Sequence, residues 1–230
     1  MYKPFFKIST LLFLIASSCS NEIPETSTIG SEEVVPFEGP TLPTIRINTQ
    51  GQSIVDEPKI PAFFEIVEED IVIEEHQIGI EIRGSSSQMF DKKSYGFETW
   101  DTNGEDLNVE LAGFPEEEDW ILYGPYSDKS LLRNVIIYEL SNKMGQYASR
   151  TAFYNLEING VFLGTYVLME KIKRDKNRVD ISKNKEEDIT GGYILKIDKP
   201  TGDGDWYNDG IAFGSQYSTE GIAIEAPKIS

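Results

Sequence analysis

Hydrophobic and polar residues alternate through much of the chain from residue 41 onward. The segments 44–49 (TIRINT), 62–68 (AFFEIVE), 78–84 (IGIEIRG) and 94–100 (SYGFETW) show this alternation and are rich in β-branched or aromatic side chains. A period of two residues is typical of half-buried strands. The turn sequence at 101–104 (DTNG) follows the last of these segments and predicts a hairpin. The first half of the folded region should therefore be mainly antiparallel β-sheet.

One segment has the spacing of a helix instead. Ser127, Asp128 and Ser130 are helix-start residues, and Gly145 is a typical stop residue. The apolar positions between them follow a helical period, at Leu131, Leu132, Val135, Ile136 and Leu140. This pattern predicts one helix with a single buried face.

The remaining pattern returns to β-structure. Segments 153–158 (FYNLEI) and 161–172 (VFLGTYVLMEKI) flank Asn159 and Gly160, a dipeptide typical of a tight hairpin turn. A last strand is predicted at 193–198 (YILKID), before a loop rich in Gly and Asp. The chain of 230 residues is long enough for one sizeable core. We therefore predict an α+β fold, antiparallel and β-rich, with one main helix.

The first 40 residues differ from the rest. Residues 1–18 carry Lys3 and Lys7 before a short apolar run and two serines, which predicts an export signal. Cys19 follows directly and is the only cysteine, so we expect it to be the lipidated residue of a bacterial lipoprotein. The polar stretch 19–40 predicts a flexible tether. The protein is thus expected to be membrane-anchored, in the periplasm or on the cell surface, with its folded domain at 41–230.

The formal net charge of −18 narrows the possible partners. Such a surface repels phosphate backbones and anionic lipid headgroups, so nucleic-acid binding is not expected. The single histidine, His76, argues against a histidine-rich metal site and a serine triad. The last loop contains Asp198, Asp203, Asp205, Asn208 and Asp209, which could bind calcium. They lack the ligand spacing and the closing glutamate of an EF-hand.

Five strings, in this order, resemble the CotH kinase family of spore coat protein-like secreted kinases. They are IRGSSSQ (82–88), KKSYGFET (92–99), DWILYGPYSDKSLLRN (119–134), NLEINGVFLGTYVLMEKIKRDKNRV (155–179) and GGYILKID (191–198). The resemblance covers the N-terminal portion of the family and implies a protein-kinase-like small lobe. It also implies ATP and Mg²⁺ as cofactors and exported or cell-surface proteins as serine substrates.

The resemblance suggests where a nucleotide would bind. The nucleotide-binding residues it implies are Arg83, Gly84, Ser85, Ser86, Lys93, Arg133, Met169 and Glu170. The glycine turn would cradle phosphates, a strand lysine would contact them, and backbone groups near Met169 and Glu170 would recognise the base. Alternation lets only one of Lys92 and Lys93 point inward; we assign Lys93 and keep Lys92 as the alternative. Glu139 is a second possible helix residue of the site.

The resemblance implies that the catalytic aspartates lie in a helical second lobe, and we expect no counterpart of it within these 230 residues. Either the sequence is a fragment of a longer gene product, the alternative that we favour, or the protein is a truncated relative that has lost activity. In both cases we expect that the polypeptide as given does not transfer phosphate, and that it exposes apolar surface meant for the second lobe. The segment 171–178 (KIKRDKNR) lacks the asparagine spacing of a kinase catalytic loop and predicts a solvated basic connection. The alternative function is a non-catalytic scaffold or glycan-binding lipoprotein, for which Trp100, Trp206 and Tyr207 could supply stacking surfaces.

Overall fold

The computed structural model describes residues 41–183, 192–198 and 221–225. The elements, in chain order, are β1 (Thr44–Asn48), β2 (Ile60–Glu68), β3 (Ile71–Arg83), β4 (Ser94–Trp100), β5 (Val109–Leu111), β6 (Phe114–Glu117), β7 (Asp119–Tyr123), α1 (Arg133–Lys143), β8 (Thr151–Ile158), β9 (Val161–Glu170), β10 (Ile194–Asp198) and β11 (Gly221–Glu225). A short 3₁₀ helix, Ser86–Met89, lies between β3 and β4. The export signal, Cys19, the tether and the acidic loop at 202–210 lie outside the described residues.

Seven strands form a closed barrel in the order β1-β2-β3-β4-β7-β9-β8. Neighbouring strands are antiparallel except where β1 meets β8, and that parallel pair closes the barrel. The described part is therefore β-rich and mainly antiparallel with one α-helix, as predicted. Closure into a barrel was not predicted.

The alternation of the sequence decides which side chains fill the barrel. The inward side chains of the seven barrel strands are mainly apolar and almost completely buried, among them Ile45, Ile47, Phe64, Ile66, Ile78, Ile80, Phe97, Trp120, Leu122, Leu156, Tyr166 and Leu168. Because the side-chain period of a strand is two, the intervening residues point outward. The core thus sits inside the barrel, and the outer surface mixes polar side chains with exposed apolar ones such as Phe63, Ile73 and Phe162.

Both predicted turns are present. Asn159 and Gly160 join β8 to β9 with φ of 51° and 79°, the positive values that a tight hairpin turn requires. After β4, Gly104 N donates to Asp101 O at 3.1 Å, and Trp100 pairs with Asp106 in an antiparallel bridge. The strand predicted at 193–198 corresponds to β10, which pairs with β11.

The helix ends where it was predicted to end, but it starts later and lacks a buried face. Gly145 follows the helix with φ of 79°. The helix begins at Arg133, after Leu131 and Leu132, and Asp128 Oδ2 accepts a hydrogen bond from Arg133 N at 2.9 Å. No residue of α1 is buried, and Ile136 and Leu140 are 58% and 49% exposed. The prediction was wrong because Ile137 is also apolar, and it is 56% exposed, so the apolar side chains of α1 do not gather on one face. Within the described residues, α1 lies against β8 without burying any of its own side chains.

Candidate functional site

The connection between β3 and β4 holds four of the predicted site residues. Arg83, Gly84, Ser85 and Ser86 are all exposed at one end of the barrel. Gly84 has φ of 108°, and a Cβ at this position would overlap the Ser87 hydroxyl, so the turn requires glycine here.

A glutamine ties this connection to the barrel. Gln88 Nε2 donates to Gly84 O at 2.7 Å and to Asp56 Oδ1 at 2.8 Å. Together with the 3₁₀ helix, these bonds give the connection a defined shape in place of the simple hairpin turn that was expected.

The two lysines before β4 reach in different directions. Lys92 Nζ donates to Thr165 O of β9 at 2.6 Å and lies 4.6 Å from the centre of the Tyr166 ring. Lys93 Nζ donates to Gln88 O at 2.6 Å and so supports the connection. Lys92 is therefore the lysine that crosses the end of the barrel, and burial lowers its pKa.

Close packing at Gly124 makes this crossing possible. Gly124 follows β7, and its N donates to Ser94 Oγ at 3.0 Å. A Cβ on Gly124 would stand 2.6 Å from Lys93 O and 3.1 Å from both Lys92 Cγ and the Tyr166 ring. A side chain at this position would displace Lys92.

The two candidate site residues on the helix, Arg133 and Glu139, form ion pairs with residues close to them in sequence. The Arg133 side chain is 79% exposed, and its Nε lies 3.6 Å from Asp128 Oδ1. Glu139 pairs with Lys143 one turn later at 3.1 Å. In the part of the chain that the structure describes, neither residue pairs with Lys92 or Lys93, whose ammonium groups donate to backbone carbonyls.

Met169 and Glu170 lie at the end of β9, across the barrel from the glycine turn. Both are buried, and Glu170 is completely so. Glu170 accepts hydrogen bonds from Arg150 Nη1 at 2.6 Å, Arg150 N at 2.9 Å and Tyr147 OH at 3.3 Å. The Glu170 side chain therefore has a structural role. A ligand at this end would have to form its hydrogen bonds with backbone groups.

A compact group of charges, not foreseen from the sequence, lies beside Glu170. Glu117, Glu118 and Asp119 place one carboxylate oxygen each within 4.8 Å of one another, a spacing that would suit a metal ion. The ammonium of Lys173 already lies among them, at 2.7, 2.6 and 2.9 Å respectively. Lys171 adds a bond to Asp119 at 2.7 Å. These contacts make the group an ion-pair cluster in which a lysine holds the cation position.

Arg178 completes this region and corrects the prediction for 171–178. Its side chain is fully buried, donates to Lys171 O at 2.7 Å and lies 5.0 Å from the Trp120 ring. Glu117 Oε2 is 3.3 Å from Arg178 Nη1. The segment is therefore fixed to the barrel and is not a solvated connection, because Lys171, Lys173 and Arg178 form ion pairs with acidic residues of 117–119. The sequence feature that could have indicated these ion pairs is the acidic run 116–119 together with two lysines separated by one residue, at 171 and 173.

No helix in the described residues is long and apolar enough to span a bilayer. A search among curated proteins finds no match to this chain. The family model described as CotH kinase protein matches residues 80–221, which include the glycine turn, both lysines, α1, the charged cluster and the end of β9. This match extends over more than half of the 230 residues, and the chain belongs to the CotH kinase family.

Proposed function

We propose that this chain forms the nucleotide-binding part of an exported, lipid-anchored, ATP-dependent protein serine kinase. The family relationship supports kinase chemistry in general. The order of the strands and the helix supports the narrower proposal that this part of the protein binds the nucleotide. Within the matched region, the β3–β4 hairpin, the strand β7, the helix α1 and the strands β8 and β9 follow one another as in a kinase small lobe.

The observation that carries the proposal is the position of Lys92. A protein kinase holds the nucleotide phosphates with a lysine on the third strand of its small lobe. Here the third strand of that order, β7, reads DWILY and contains no lysine. Lys92 extends across the end of β7 to β9 instead, beside the glycine turn, so that its ammonium can take this role.

The surroundings of Lys92 fit a polyphosphate. Its ammonium donates to a carbonyl oxygen and lies over an aromatic ring. Among the described residues, no carboxylate forms an ion pair with it. Arg83 and the exposed backbone of Gly84 and Ser85 lie at the same end of the barrel. Such a cation and a polar turn are suited to bind the phosphates of ATP.

Mg²⁺ would enter with the nucleotide. The described acidic cluster does not fit this ion, because Lys173 lies among its three carboxylates. We therefore assign no protein ligand to the metal. Its chemistry would be to neutralise charge on the phosphate oxygens as the phosphoryl group is transferred.

Nucleotide binding is the direct test. Full-length protein is titrated with a fluorescent ATP analogue and Mg²⁺, alongside the variants Lys92→Met, Lys93→Met and Arg133→Ala. We expect Lys92→Met to weaken binding by about tenfold or more, because a charge-assisted hydrogen bond to phosphate is lost. Lys143→Met is the matched control, since Lys143 is an exposed lysine on α1. Absence of saturable binding by the folded protein, or equal losses in Lys92→Met and Lys143→Met, would contradict the proposal.

Export and anchoring are tested separately. The protein is expressed in a bacterial host with a radiolabelled fatty acid and compared with Cys19→Ser. We expect label in the unaltered protein and none in the variant. Label in both, or in neither while the protein is exported, would mean that Cys19 is not a lipid anchor.

A further inference from the structure

The outer surface of β1 to β4 carries a row of amide and aromatic side chains. Asn48 of β1 pairs with Phe63 of β2, Phe63 with Gln77 of β3, and Gln77 with Trp100 of β4. Residues directly opposite each other in antiparallel strands point to the same side. Because Phe64 and Ile78, the neighbours of Phe63 and Gln77, are buried inside the barrel, the row faces outward. Amide and aromatic groups thus alternate across four strands.

The two aromatic rings of this row are presented differently from ordinary surface residues. Phe63 is 46% exposed although it lies in the middle of a strand. The Trp100 indole lies over Gly79, where any side chain would overlap the ring. Gly79 therefore leaves room for the indole to lie against the sheet. Phe63 and Trp100 belong to β2 and β4, and the indole lies over β3 between these strands. Both rings therefore lie on the same outer surface, which suits a ligand with repeated flat units.

A concave region adjoins each ring. One, of about 780 Å³, is lined by Phe63, Asn48 and Gln77 together with the turn residues Gln50 and Asn159. The second is a shallow, open depression lined by Trp100, Lys59 and three glutamates. The first has the size of the clefts in which proteins bind small molecules or short oligomers.

Charge restricts what these cavities can accept. Glu65 lies directly opposite Glu75 on neighbouring strands, and Glu157 lies beside Arg46 at 3.9 Å. Near Trp100, Lys59 is bonded to Glu81 and Glu98 at 3.2 and 3.0 Å. Both cations are thus paired, while acidic groups are in excess. Phosphorylated or acidic ligands would be repelled, and carboxylates and amides remain to bond with hydroxyl groups.

We infer that this face is a binding site for an uncharged glycan. The C–H faces of sugar rings would lie on Phe63 and Trp100, because flat apolar surfaces bury well against aromatic rings. The hydroxyl groups would bond to Asn48, Gln77 and the acceptor oxygens of the glutamates. The residues of this site are not those proposed to bind nucleotide, and the two functions can therefore fail independently.

The test uses full-length protein and a panel of neutral glycans. The probes are hexasaccharides of β-1,4-linked glucose, α-1,4-linked glucose and β-1,4-linked N-acetylglucosamine, measured by titration calorimetry, together with their insoluble polymers in sedimentation assays. We expect saturable binding to at least one probe. Phe63→Ala and Gln77→Ala should each weaken it, Phe63→Ala by about tenfold, because a ring that covers one sugar is removed.

A matched variant distinguishes stacking on the proposed face from non-specific binding to exposed aromatic side chains. Tyr126 is 50% exposed between β7 and α1, away from the outer surface of β1 to β4, so Tyr126→Ala should leave glycan binding unchanged. Trp100→Ala removes the second ring, and its fold is checked by circular dichroism before binding is measured. Failure of every probe to bind would overturn the inference. So would equal losses in Phe63→Ala and Tyr126→Ala, or self-association through this face that glycan does not displace.

Discussion

Replacement of Lys173 by methionine tests whether the cluster of Glu117, Glu118 and Asp119 is held by one ammonium. The substitution keeps most of the length and apolar volume of the side chain but removes its charge. Removing one partner of a buried ion pair costs about 3–5 kcal/mol of unfolding free energy, because the remaining charges lose their compensation. The Lys173 side chain is 28% exposed, so water screens it in part and the lower end applies, about 3 kcal/mol.

The pH dependence of this loss identifies its cause. Burial disfavours the charged form of Asp119, but hydrogen bonds from Lys171 and Lys173 outweigh it and hold the pKa of this carboxyl below its ordinary value. Burial also disfavours the charged form of Lys173, yet its bonds to the carboxylates raise its pKa. The stabilisation from Asp119 is therefore present above its unfolded pKa and lost as pH falls through the folded one. That from Lys173 is present below its unfolded pKa and lost as pH rises through the folded one.

In the variant, three neighbouring carboxylates can share protons as the pH falls towards 4, which relieves their repulsion. We therefore expect the difference between the variant and the unaltered protein to shrink by about 1 kcal/mol or more between neutral pH and about pH 4. Burial raises the pKa of Glu117, so this residue should take up a proton first.

The assay is urea unfolding followed by tryptophan fluorescence, since Trp120 is fully buried beside the cluster. With a slope of about 2 kcal/mol/M, Lys173→Met should lower the unfolding midpoint by about 1.5 M at neutral pH. Lys143→Met, on the exposed side of α1, should change it by less than about 0.3 M. A Lys173→Met protein as stable as the control, or equally destabilised at both pH values, would refute the reasoning.

Three further outcomes follow from the fold. Gly79→Ala should displace the Trp100 indole, shift its fluorescence to longer wavelength and lower the unfolding free energy by about 1–3 kcal/mol, because the added methyl group occupies the ring's place. Asp128→Ala should reduce helical circular dichroism and cost about 1 kcal/mol in urea unfolding, since Arg133 N loses its cap. Ile136→Lys should change the unfolding free energy by less than about 0.5 kcal/mol, because this side chain is already 58% exposed.

Local features of the fold could be predicted from the sequence. The Asn159–Gly160 turn was predicted correctly because its conformation depends on two adjacent residues that tolerate positive φ. The C-terminal end of α1 was also predicted, since Gly145 acts directly after the helix, whereas the start was placed too early, because Leu131 and Leu132 precede Arg133. The exposure of Ile136 could not be predicted, because the spacing of apolar residues does not show what lies opposite them.

The candidate site shows the same limit. The glycine turn was correctly located between two strands, but Lys92 and Lys93 could not be distinguished by alternation. Their directions depend on contacts with Thr165 and Gln88, of which the first lies 73 positions away. The Lys173 cluster was missed because its acidic partners, Glu117, Glu118 and Asp119, are 54 to 56 positions distant. Pairings of this kind need the closed barrel to bring them together.

The parallel pairing of β1 with β8 also has a consequence for how the protein folds. Thr49 N donates to the Asn159 side chain at 2.9 Å, across 110 positions of the chain. Contacts this distant in sequence form slowly, because a long loop must be ordered first. Until β8 arrives, β1 presents an unpaired edge on which another chain could add a strand. The step that closes the barrel is therefore the one at which refolding and aggregation should compete.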